Sequence, residues 1–82
     1  MMRDTDIRLE ILGLEGPQFD LLWALAREVA SELQQVELVS IHDSDEMLRK
    51  GVARPPAVVV DGQVMCTGRV PTRQELRSYL SS

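Results

Sequence analysis

Residues 54–62 read Arg54-Pro55-Pro56-Ala57-Val58-Val59-Val60-Asp61-Gly62. Proline has no N–H to donate and is kept out of helix interiors and central strands, so Pro55-Pro56 marks the entry to a new element. The run behind it, Ala57–Val60, is apolar and rich in β-branched side chains, which favours a strand. Asp61-Gly62 is a hairpin signal, because both residue types tolerate the positive φ of a tight two-residue turn. The chain is therefore expected to return antiparallel over Val64–Thr67, until Gly68 breaks the strand.

Working toward the N-terminus, Ile7, Leu9 and Ile11 alternate with Arg8, Glu10 and Leu12, the period-2 pattern of a strand that Gly13 ends. Gly13-Leu14-Glu15-Gly16-Pro17 leads into a helix, and Pro17 suits a first turn where its missing N–H has no intrahelical partner. The helix is expected from about Pro17 to Leu33. Phe19, Leu22, Trp23, Ala26, Val29, Ala30 and Leu33 share one face, Leu21 and Leu25 widen it, and Glu28, Glu32 and Gln35 look the other way. Val36, Leu38, Val39 and Ile41 form a second strand. A full helix between two strands implies a right-handed parallel βαβ unit.

Asp43-Ser44-Asp45-Glu46 starts a short helix, with Asp43 as N-cap and Glu46 three positions on. Met47 and Leu48 are its expected anchors and Gly51 its stop. Beyond the hairpin, Thr72-Arg73-Gln74-Glu75 is a capping box opening a last helix that carries Leu76, Tyr79 and Leu80. The order is β-α-β-α-β-β-α.

The 82 residues make one domain, 1–82, with a polar tail at 1–5. The apolar fraction of 44% and the charged fraction of 27% are those of a globular domain. A formal charge of −4 argues against nonspecific binding to nucleic acid or an anionic membrane. Apolar runs are only a few residues long, too short to span a bilayer. The opening residues show no export-signal core, so the expected compartment is the cytoplasm. Cys66 is the one cysteine and His42 the one histidine, too few for a disulfide or a zinc site within the chain, and no cofactor is implied. Cys66 lies in an apolar stretch, where a free cysteine serves as a small hydrophobe.

Three segments carry a family resemblance: Glu10-Ile11-Leu12-Gly13, Arg54 to Gly62, and Gly68-Arg69-Val70-Pro71-Thr72. On these the chain resembles the small thioredoxin-like proteins of archaea and bacteria called redox-active disulfide protein 2, over about Ile7 to Leu80. The resemblance implies a thioredoxin-like α/β fold of glutaredoxin type, a four-stranded mixed sheet with flanking helices. It implies a Cys-x-x-Cys pair at the start of the first helix, where this chain has Gly16, Pro17, Gln18 and Phe19. Without a nucleophilic and a resolving thiol, the disulfide exchange of the family has no chemistry to run on. The resemblance also implies a cis bond before Pro56. The residue ahead of that proline, which in the family pairs its backbone with a bound peptide or glutathione, is here Pro55 and has no N–H.

The reading that follows is a redox-inactive thioredoxin-like domain acting as a protein-binding or assembly module. Its expected contact residues are Gly16, Pro17, Gln18, Phe19, Arg54, Pro55 and Pro56; the expected partner is another protein, with self-association open. Two alternatives stand beside it. Cys66 could form intermolecular disulfides, as in a thiol oxidoreductase. The free N–H groups at Gly16–Gln18, with Arg54 nearby, could hold a small anion, against which Glu15 works. Phe19 and Trp23 are core residues or an exposed aromatic pair, and His42 is a surface histidine or a group that titrates near neutrality.

Overall fold

β1 (Ile7–Leu12) lies inside a four-stranded sheet, flanked on one side by β2 (Val36–Ile41) and on the other by β3 (Ala57–Val60), with β4 (Gln63–Thr67) beyond. The computed structural model describes residues 7–33 and 35–81. The expected tail at 1–5 lies outside the described residues. β1 and β2 run parallel, with Leu9 opposite Leu38, while β3 is antiparallel to both β1 and β4. The parallel pair is bridged by α1 (Pro17–Ser31), as a parallel connection requires. α2 (Ser44–Arg49) follows β2, and α3 (Arg73–Ser81) closes the chain. This is the thioredoxin-like α/β arrangement expected from the element order.

The sheet is covered on both faces. Leu9, Ile11 and Val58 pack with Phe19, Leu22, Ala26 and Val29 of α1 and with Leu76 and Leu80 of α3. On the other face Leu12, Ala57 and Val59 pack with Ile41, Met47 of α2 and Val52. Two covered faces explain why β1 is buried from Leu9 to Leu12 rather than alternating in and out.

Glu10 is a consequence of the same burial. It points to the α2 face and is only 2% exposed, and its Oε2 is held by Arg8 Nε at 3.0 Å and Lys50 Nζ at 3.3 Å. Arg8 also reaches Glu37 at 3.4 Å, and these carboxylates hold its guanidinium above its usual range. A buried carboxylate must be paired to be tolerated, and both cations come from flanking positions that remain partly in water.

α1 is shorter than its apolar pattern. It stops at Ser31, with Glu32 as C-cap, so Leu33 falls beyond the helix and is 40% exposed. Gln35, at φ +65, turns the chain into β2 rather than continuing a helical face. Leu21 is 56% exposed because it shares the α1 flank with Glu28 and Glu32, which bond Arg73 and Arg77 of α3 across the surface. Leu48 is likewise 64% exposed, leaving Met47 as the buried anchor of α2. Asp43 caps α2 through the amide of Asp45.

Candidate partner-binding site

Gly16 is the N-cap of α1, with φ 154° and ψ −179°, and Pro17 opens the helix behind it. That backbone region is essentially restricted to glycine. A Cβ added at Gly16 would meet nothing within 4 Å, so the requirement is conformational and not one of space. No side chain caps this end, and Pro17 and Gln18 are exposed.

Phe19 turns inward and is 6% exposed. Its ring stacks on Trp23 at 5.9 Å and meets His42 at 4.5 Å in a tilted arrangement. His42 Nδ1 donates to the Gly13 carbonyl at 2.8 Å, fixing the end of β2 beside the start of the helix loop. Gly13 is small for a reason: a Cβ there would stand 3.1 Å from Phe19 Cδ2 and 3.5 Å from Pro56. Phe19 and Pro56 therefore close together over a glycine.

The Pro55–Pro56 peptide is cis, Pro56 is buried and Pro55 half-buried. With Leu14, Gln18 and Phe19 the two prolines line a shallow groove of about 120 Å³. A second hollow of about 240 Å³ lies alongside, against Leu48, Val52 and Ala53, and shares Leu14 and Pro55 with the first. The two join into one apolar surface, with Leu14 60% and Leu48 64% exposed at its rim.

Of the sequence-derived contact residues, Gln18, Phe19, Pro55 and Pro56 line the groove. Gly16 and Pro17 sit at the adjoining helix end. Arg54 does not line it: its side chain lies along Gly68, whose amide donates to the Pro56 carbonyl at 2.9 Å. Leu14 and Leu48 were missed as surface residues. Leu14 carried a signal, being an apolar side chain between two glycine-bounded turns, whereas Leu48 read as a helix anchor.

Cys66 stands apart, on β4 opposite Val58, 7% exposed in the core beneath α1 and α3. Its Sγ is 3.8 Å from the Arg69 carbonyl, a weak contact. Burial, and then the neighbouring Cys66, push the Tyr79 hydroxyl above its usual range. Among the described residues no three potential metal-ligating side chains gather, and no helix is long and apolar enough to cross a membrane.

A parallel βαβ unit followed by a β-hairpin and helix, with a proline-walled groove at the start of the first helix, defines the thioredoxin-like class. Residues 8–81 match the family described as Thioredoxin domain, and the chain belongs to it. One relative is the thioredoxin of Methanothermobacter thermautotrophicus (strain Delta H), 30% identical over 76 residues that span 92% of this chain and 99% of that protein.

Proposed function

We propose that this protein is a thioredoxin-family domain that has no dithiol chemistry and serves as a cytoplasmic protein-binding module, its contact area being the Leu14, Gln18, Pro55, Leu48 surface. The observation that carries this reading is the pair of positions at the helix entry. Gly16 sits in a conformation that favours glycine, and Phe19 is packed into the core. Neither supplies a thiol, yet the groove beside them remains open and apolar. Apolar surface of this kind, ringed by polar residues, is what protein partners bury. Pro55 offers a partner only its carbonyl, so recognition rests on side-chain packing more than on paired backbone bonds.

The alternatives have weaker footing. Cys66 is buried away from the groove, which leaves an intermolecular disulfide no direct access. Arg54 lies against Gly68, so an anion at the helix end would have backbone amides alone.

A photo-crosslinking side chain at Leu14, compared with the same group at exposed Gln63, tests the reading in cells of the native host. Discrete adducts from position 14 that vanish in a Leu48→Asp background support it. Equal labelling from both positions contradicts it.

A further inference from the structure

The two edges of the sheet are not alike. On β4 the register against β3 shifts between Val58 and Val59, so Met65 is an extra residue, a bulge that bends that edge. β2 runs in unbroken register with β1 from Val36 to Ile41 and contains no proline, lysine or bulge, three of the devices that blunt a free edge; Glu37 is its one charge. The Gln35 and Ile41 carbonyls accept from Ile7 and Gly13, so odd-numbered residues turn their main-chain groups toward β1. By the alternation of a strand, Val36, Leu38 and Ser40 turn theirs outward, where no described residue bonds them.

Apolar side chains lie on both faces of this edge, beside exposed Glu37 and Ser40. Val36 and Leu38 are half-buried on the α1 face and Val39 on the α2 face. Half-buried Trp23 lies on the flank of α1 opposite Glu28 and Glu32, the residues that bond α3, and is stacked on Phe19, which meets His42 at the end of β2.

We propose that β2 is the surface through which two copies of this chain join their sheets, antiparallel, about a two-fold axis at Leu38. A two-fold axis normal to the sheet keeps each side chain on its own face, so residues of equal parity must meet. Centred on Leu38, it sets Val36 of one copy against Ser40 of the other, and all three outward-facing residues become hydrogen-bonded pairs. The same register sets Glu37 against Val39. Glu37 is the one charged residue of the strand and already carries Arg8 at 3.4 Å, so no like charges meet across the axis. The edge is thus complementary to itself, as an isologous interface requires. An unrelated extended segment would gain the same main-chain bonds but not this side-chain match.

The test is mass by light scattering of the full chain across a concentration series, with two variants. Ser40→Pro removes an outward N–H that bonds nothing within one copy, and Leu38→Lys brings two ammonium groups together on the axis. The wild type is expected at twice the chain mass and both variants at one. Amide exchange of the wild type gives a second reading that needs no variant: Val36, Leu38 and Ser40 should exchange at least tenfold more slowly as concentration rises. A wild type that stays monomeric at submillimolar concentration overturns the proposal. So does a dimer that survives in either folded variant, or one that leaves those amides unprotected.

Discussion

Arg69 and Glu75 meet end-on, Nη1 on Oε1 and Nη2 on Oε2, both at 2.9 Å. The same Glu75 closes the capping box of α3: its amide donates to Thr72 Oγ1 at 3.1 Å, and its Oε1 accepts from the Thr72 amide at 2.8 Å. One carboxylate thus ties the loop after β4 to the last helix. Arg69, followed by the Thr72 amide, pulls its pKa down to about 2 from 4.5.

The sign of the pH effect follows. A carboxyl with a lowered folded pKa contributes stability that is complete above about 4.5 and is lost as pH falls toward about 2. Denaturation midpoints of the wild type should drop through that window more steeply than those of Glu75→Gln. Thr72→Ala, which removes one half of the cap, should cost about 1 kcal/mol at neutral pH.

The helix entry should resist change for two separate reasons. Gly16→Ala places a Cβ in open space but forces its backbone, at φ +154, out of its conformation, and is expected to cost about 1–3 kcal/mol. Phe19→Ala empties a core position beside Trp23 and His42 and should cost about 3–5 kcal/mol. A domain of this size holds only about 4–12 kcal/mol in total. Installing thiols at both positions incurs both penalties, measurable as a fall in urea midpoint.

Much of this was legible in the sequence because local chemistry and global fold agree. Asp61-Gly62 is the turn between β3 and β4, Pro17 opens α1, and Thr72 with Glu75 cap α3 as their spacing requires. What was not legible depends on pairing between distant segments. The Met65 bulge puts Cys66 and Val64 in opposite cores, which an unbroken alternation cannot show. Glu10 read as the polar side of β1, because its burial is set by α2 and Lys50 from forty positions away. At the site, the prolines and Phe19 were readable, but Arg54's departure toward Gly68 and the exposure of Leu14 and Leu48 are decided by how the loops lie.

Glu10 and Lys50 should behave as a coupled pair. Lys50→Met leaves the buried carboxylate with Arg8 alone and is expected to cost about 2 kcal/mol, while Glu10→Leu combined with Lys50→Met should recover part of that loss. A double-mutant cycle by urea denaturation measures the coupling. Costs that simply add would show that the two groups act independently.

Cys66 should react slowly. At 7% exposure its thiol meets an alkylating reagent only after local opening, so iodoacetamide labelling of the native protein should lag behind the urea-unfolded chain at least a hundredfold.

The proposed lack of dithiol chemistry is most directly tested by insulin reduction with dithiothreitol, followed as turbidity, for the wild type and Cys66→Ser. The account predicts that both match the protein-free control, because the helix entry carries Gly16 and Phe19 and the remaining thiol is buried. Acceleration by the wild type that disappears in Cys66→Ser would contradict it and make this chain a single-cysteine oxidoreductase.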